Sequence, residues 1–292
     1  MKFYIAGITV LTLFSVPGFA GESAVKKLPF YRPHVSSHVS PAKPRDTPLP
    51  NIFNAASFLP GMSPGGLATI IGDNLTTVSG TVLAGVDPLP TSLAGVEVVI
   101  SGFAAPIYGI AYVGNNQDYI DVQVPYEAPV GLNSAEVQVY NVVSGVKTLV
   151  ADFVADSFTE DPGIFLWDGG NTANGYIYAI AEASDYSLIG PDNPAIAGEP
   201  LVLYVTGLGP LSLSLVDGYG SPSTPPFADT IDPFQVIVNG EQCNVFFSGL
   251  APGFVGLYQI NFYVPRDAPP GDLQISIQST YANSGIATLP VR

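Results

Sequence analysis

The chain has 292 residues, of which 47% are hydrophobic and only 11% charged, and it contains 31 Gly and 28 Pro. That composition allows a sizeable core and points to many short strands joined by tight turns, with almost no helical signal and room for one large domain or two of ordinary size. The formal net charge of −15 argues against nucleic-acid binding, because after residue 50 only Lys147, Arg266 and Arg292 are basic and no basic patch with interleaved aromatics exists.

Residues 1–20 carry Lys2, an apolar run from Phe3 to Val16, a Pro-Gly break and small residues at Gly18 and Ala20. This pattern predicts a secretory signal peptide cleaved after Ala20. No other stretch is apolar and long enough to span a bilayer, so the mature protein is expected to be exported, soluble and without a transmembrane segment. A lone Cys243 forbids an intramolecular disulfide, so packing must stabilise the exported chain.

Residues 21–50 change to Pro, Ser, Lys and Arg and hold both histidines, His34 and His38. The composition predicts an extended arm. Its Lys26, Lys27, Arg32, Lys43 and Arg45 oppose an acidic body, so the arm either spaces the body or docks on it, on its own copy or on a neighbour.

Residues 51–160 read as a first β-sandwich. Strands are expected over 67–71, 96–101, 107–113, 119–124, 134–140 and 148–154, from period-two alternation bounded by Gly and Pro turns. Residues 196–292 repeat the order over 201–206, 234–239, 242–248, 256–264, 273–278 and 286–291. In both units an alternating strand runs into Val-Pro, at Pro125 and Pro265, followed by an acidic Ala-Pro turn, a Gly and another strand. GVEVVISG, ending at Gly102, aligns with PFQVIVNG, ending at Gly240. The predicted fold is therefore all-β: two tandem immunoglobulin-like β-sandwich domains related by internal duplication, with a β-hairpin insertion between them.

That insertion, residues 161–195, has no counterpart in the repeat. Ile164 to Trp167 and Tyr176 to Ala181 are expected to pair across a Gly- and Asn-rich turn. The segment concentrates the only Trp with several Tyr, so two readings stand: Trp167 packs a junction between the domains, or Trp167, Asp168, Asn171, Asn174, Tyr176, Tyr178 and Tyr186 form an aromatic and amide-lined surface for a sugar.

NAASFLPG at Asn54, PGGLATIIGDNL at Pro64, PLPTSLAGVEVVISG at Pro88, DPGIF at Asp161, VTGLGPL at Val205 and SGLAPGFVGLYQINFYVP at Ser248 closely resemble the Solibacter uncharacterised C-terminal domain, a bacterial secreted module of immunoglobulin-like, IPT/TIG-type character. The resemblance runs from Asn51 to Arg292 and implies an extracytoplasmic pair of sandwiches. It carries no established activity. The chain departs at Gly114 to Pro125, GNNQDYIDVQVP, where the family usually reads more like SPGQINAQVP.

The absence of histidine and of a cysteine pair after residue 50 excludes Ser-His and Cys-His nucleophiles and the usual zinc sites in the body, so no catalytic or metal-ligating set is assigned. Carboxylate pairs are available in principle for glycoside hydrolysis, Glu182 and Asp185 beside Tyr186 being the best placed in sequence. No cofactor is expected. Calcium is the one inorganic alternative, but WDGGNTANG from Trp167 lacks the alternating oxygens of a strict calcium loop. The sequence thus predicts a non-enzymatic, exported module that contacts a protein or polysaccharide surface. The alternative is a carbohydrate-binding protein that uses the aromatic insertion, with a carboxylate-dependent glycosidase well behind.

Overall fold

The structure is a computed structural model that describes the backbone strands Lys2–Ile5 and Ile8–Leu11 and residues 50–170 and 177–292. The two N-terminal strands pair as an antiparallel hairpin inside the stretch read as a signal peptide. The remainder of that peptide and the arm up to residue 49, with His34 and His38, lie outside the described residues.

The fold is all-β, with no helix among the described residues. In the first sandwich, one sheet runs Asn51–Asn54, Leu67–Asp73, Gln117–Gln123, Ile107–Gly114, Thr81–Leu83, and the other runs Val146–Ser157, Gly131–Val143, Val96–Ile100, Ser92–Leu93. The second sandwich repeats this order. Pro200–Thr206, Tyr258–Tyr263 and Asn244–Leu250 are neighbours in one sheet, and Ala287–Val291, Gly271–Gln278 and Gln235–Val238 in the other. The duplication extends to the turns. Ser101 and Gly102 have φ of 50° and 88°, and Asn239 and Gly240 have 51° and 83°. Both pairs supply the two positive φ angles that a tight two-residue hairpin of right-handed twist needs.

Each sandwich has its own apolar core. Ile70, Val98, Ile120, Val122 and Val137 pack in the first, and Leu203, Val236, Ile260, Phe262 and Ile275 in the second. Val96–Ile100 alternates buried and half-buried residues, as a strand with one face on a core should.

The structure departs from the sequence reading in three places. The stretch 242–248, expected as one strand, is broken: Glu241–Gln242 belongs to one sheet and Asn244–Leu250 to the other, so the chain changes sheets beside the buried Cys243. Gln117–Gln123 and Tyr258–Tyr263 are buried on both faces instead of half-buried; on the first of them Tyr119 packs with Phe53 and Phe58 of its own sandwich, and Gln123 accepts the Gly218 amide of the second. The insertion is also built into the second sandwich. Leu166–Trp167 pairs antiparallel with Tyr178–Ala179, as expected, while Gly163–Ile164 and Ala181–Ala183 both pair with Pro200–Thr206 in the opposite sheet. The hairpin therefore supplies strands to both layers.

Candidate functional site

The described residues offer three surfaces on which function can rest: the insertion, an edge strand of the first sandwich and the seam between the sandwiches. At the insertion, Trp167 and Tyr178 lie with ring centroids 6.5 Å apart and planes tilted by 55°. Trp167 is half-buried and leans on the apolar junction cluster, with its ring against Gly190, where a Cβ would approach Cζ2 to 2.3 Å. Its indole Nε1 is buried without a hydrogen-bond partner. Tyr178 is buried and donates its hydroxyl to Asp272 Oδ2 at 3.2 Å. Asp168 Oδ1 accepts the Gly170 amide at 2.9 Å, which makes a local turn, and Tyr186 is half-buried with φ of 64°. Asn171, Asn174 and Tyr176 lie outside the described residues. The Trp167 and Tyr178 rings are thus packed at an angle to each other, not laid out in one plane.

The two carboxylates singled out in sequence sit in unlike settings. Glu182 is buried on Pro200–Thr206 and accepts the Tyr204 hydroxyl at 2.9 Å; burial pushes its carboxyl up against that bond. Asp185 caps a turn through the Ser187 hydroxyl at 2.6 Å and amide at 3.0 Å, which hold it below the usual carboxylate range. No group of three or more His, Cys, Asp or Glu able to hold a metal occurs among the described residues.

Val146–Ser157 is one edge strand of the first sandwich, and its C-terminal end is bridged to Met62. Val146, Leu149 and Val154 are exposed along it. The ladder shifts there: Val139 faces Ala151 and Tyr140 faces Leu149, so Val150 opposes nothing and bulges. Lys147 bonds Glu97 at 2.9 Å and lies 4.0 Å over the Tyr140 ring. A bulge and a charged side chain on an edge strand are the devices by which proteins discourage strand addition.

The seam is the most elaborated of the three. Its apolar floor combines Ala55, Leu67, Phe165, Val202, Tyr204 and Leu257. Hydrogen bonds cross it in series. The Leu67 amide donates to Thr206 Oγ1 at 2.8 Å, whose hydroxyl donates on to the Gly256 carbonyl at 3.0 Å. The Tyr108 hydroxyl reaches the Val255 carbonyl at 2.6 Å, and the Gly218 amide donates to Gln123 Oε1 at 2.6 Å. The glycine at 207 is required: its φ is 74°, and a Cβ there would stand 2.0 Å from the Asp161 carbonyl oxygen.

Beside this seam opens a cleft of about 470 Å³, lined from the first sandwich by Pro64, Tyr126 and Glu127, from the linker by Thr159, and from the second by Leu211 and Leu213, among others. Asp217 stands behind Tyr126, accepting its amide at 3.1 Å. Burial and the neighbouring Glu127 carboxyl raise Asp217 to about 6. Sequence reasoning missed this site. Its one available signal was the pair of acidic turns, Tyr126-Glu127 after Val-Pro and the VDGYG stretch at Val216, which gave no sign that they face each other.

No family model matches the chain, and no curated protein matches it. The resemblance read from the motifs therefore reaches only the β-sandwich architecture. Among solved structures, the chain is similar to the Bacteroides ovatus mixed-linkage glucan utilization locus SGBP-B in complex with mixed-linkage heptasaccharide, at 12% identity and a TM-score of 0.29, over 79% of this chain and 42% of that one. It is also similar to the titin Ig tandem domains A164-A165, at 9% identity and 0.19, over 80% and 90%. The Streptococcus agalactiae AgI/II polypeptide BspA C-terminal domain gives 10% identity and 0.18, over 82% and 98%. The chain spans less than half the length of the glucan-locus protein. At such scores the superpositions carry no argument about function.

Proposed function

We propose that this is an exported, non-enzymatic contact module in which two joined sandwiches hold an extended segment of a partner protein at the cleft between them. The cleft is the observation that carries this reading. Both sandwiches and the linker contribute to its walls, and Pro, Leu, Val and Ala supply seven of the twelve lining residues, with Tyr126, Thr159, Ser214 and the Glu127 carboxylate as the polar side chains. Apolar walls with a few polar groups suit recognition by burial and orientation. The Glu127 carboxylate in its wall favours a segment that carries Lys or Arg beside its apolar residues. Export rests on the signal-peptide pattern of residues 1–20.

The alternative is carbohydrate binding at the insertion, supported by Trp167, Asp168 and Tyr186, all three partly exposed. One set of measurements decides between them. Purified protein is assayed against a glycan array with and without calcium, and against arrayed basic-apolar peptides, alongside Leu213→Asp and Trp167→Ala. Peptide binding lost in Leu213→Asp and kept in Trp167→Ala supports the cleft. Glycan binding with the opposite dependence supports the insertion. Steady turnover of an arrayed polysaccharide would sink both.

A further inference from the structure

The duplication extends to a β-bulge. In the first sandwich the ladder between Gln117–Gln123 and Ile107–Gly114 pairs Val122 with Ile107 and Asp121 with Gly109, which leaves Tyr108 as an extra residue. In the second, Phe262 pairs with Val245 and Asn261 with Phe247, which leaves Phe246 extra. The neighbouring bonds repeat as well. The Ala105 and Cys243 amides donate to the Val98 and Val236 carbonyls, and the Val124 and Val264 amides to the Gly66 and Glu199 carbonyls. In this register Pro106, Tyr108, Gln123 and Tyr126 of the first sandwich correspond to Asn244, Phe246, Tyr263 and Arg266 of the second. A bulge re-aims the side chain it carries, and both copies place an aromatic ring on it.

In the first sandwich this set grips the second. The Tyr108 hydroxyl holds the Val255 carbonyl, and Gln123 holds the Gly218 amide. A Cβ on Gly218 would stand 3.3 Å from Pro106, and the Tyr126 amide is bonded to Asp217. In the second sandwich the corresponding set faces outward. Phe246 is 46% exposed and Tyr263 42%, with ring centroids 5.0 Å apart, and Asn244 and Arg266 are exposed too.

The gripped part also has a counterpart. Residues 251–257, which enter the seam, connect Asn244–Leu250 to Tyr258–Tyr263. The matching connection in the first sandwich follows Ile107–Gly114, at the end of the ladder opposite the seam. There Asn115 and Asn116 make the turn, and Tyr112 and Val113 are 42% and 44% exposed.

We propose that copies of this chain join head to tail: the tip of one first sandwich, around Tyr112 and Val113, docks on the Phe246–Tyr263 patch of a second copy. The contact repeats between chains what the two sandwiches do within one. Large aromatic side chains supply most of the energy of such contacts. Phe246 lacks the hydroxyl that Tyr108 gives to Val255, so burial carries this contact and hydrogen bonds carry less of it. The seam also has a linker that keeps its partners at high effective concentration, and a contact between chains does not. The association is therefore reversible and depends on concentration. Because the two joined surfaces differ, each added copy leaves one of each open, so the product is a growing row and not a closed dimer. None of this depends on what the cleft binds.

Sedimentation of the chain starting at Gly21, over a concentration series in about 0.5 M salt to screen the ion pairs of the basic segment, tests this. The average mass should climb with concentration past that of a dimer. Phe246→Ser with Tyr263→Ser removes the patch, and Tyr112→Ser with Val113→Ser removes the tip; each variant alone should stay monomeric. Mixed together they retain one intact tip and one intact patch, so they should form a one-to-one complex. If either double variant fails to fold, Phe246→Ser and Val113→Ser alone should each weaken assembly. Leu213→Asp, in the cleft, should assemble as the unsubstituted chain does, so the two readings fail separately. A chain that stays monomeric at every concentration, a mass that stops at a dimer, or assembly that survives loss of the patch overturns the proposal.

Discussion

Asn54 and Asp161 lie 107 positions apart and are joined by a 2.6 Å hydrogen bond from Asn54 Nδ2 to the Asp161 carbonyl. The same side chain caps a turn through Oδ1, which accepts the amides of Ala56 at 2.9 Å and Ser57 at 3.0 Å. One buried amide thus fixes the start of the first sandwich against the linker that leads into the second. The Asp161 amide then bonds the Gly207 carbonyl at 2.8 Å, which ties the linker to the second sandwich. Asn54→Ala removes one donor and leaves two amides and a carbonyl unanswered, so we expect a loss of about 2–4 kcal/mol in chemical denaturation. Asn54→Asp, which keeps the acceptor but loses the donor and adds a charge beside Asp161, should be no better at neutral pH. A loss below about 0.5 kcal/mol for Asn54→Ala would show that the bond does not hold the junction.

The packing of Trp167 on Gly190 gives a second expectation. Gly190→Ala places a methyl against the indole, and overpacking of this kind costs about 1–3 kcal/mol. Emission from Trp167, the single tryptophan, should be blue-shifted and weakly quenched by acrylamide in the native protein. It should move to the red in Gly190→Ala. Ready quenching in the unsubstituted protein would instead show an exposed platform.

Asp121 carries the third. It is buried beside Thr69, whose hydroxyl donates to Oδ1 at 2.6 Å, while Oδ2 has no partner. Burial pushes its carboxyl up to about 8. The group is raised on folding, so stability is greatest where it is protonated and declines as pH rises from the ordinary carboxylate range through about 8. Asp121→Asn should therefore match the unsubstituted protein at acidic pH and exceed it by a few kcal/mol above about pH 9. Melting temperatures across that range check this, and a variant less stable at every pH would refute it.

The fourth expectation concerns residues 21–50, a basic segment whose charge is opposite to that of the acidic body, which has only three cations. Exposed ion pairs contribute at most about 1 kcal/mol each and are screened over about 8 Å at physiological salt. Any self-association through the arm should therefore weaken steeply as salt rises. Light scattering of a chain starting at Gly21 and of one starting at Asn51 should give masses that differ at low salt and converge at high salt. Identical, salt-insensitive masses would leave the arm a spacer.

The sequence by itself determined the architecture. Alternation in VEVVI and DLQISI, Pro after Val124 and Val264, and Ser-Gly and Asn-Gly at the matching turns are local signals that act over a few residues, so strands, corners and the duplication could be read directly. Tertiary structure alone decided what those strands face. The side chains of Tyr119, Asp121 and Gln123 alternate with core residues exactly as solvent-facing positions would, and only the covering of that face makes them buried. Likewise Gly207 in VTGLG reads as a turn, but the need for it arises from the Asp161 carbonyl, which the fold brings from far along the chain. Asp217 is an ordinary acidic turn residue until two sandwiches close on each other, because a charge's cost depends on the medium and the neighbours around it, and both are set by packing across the seam.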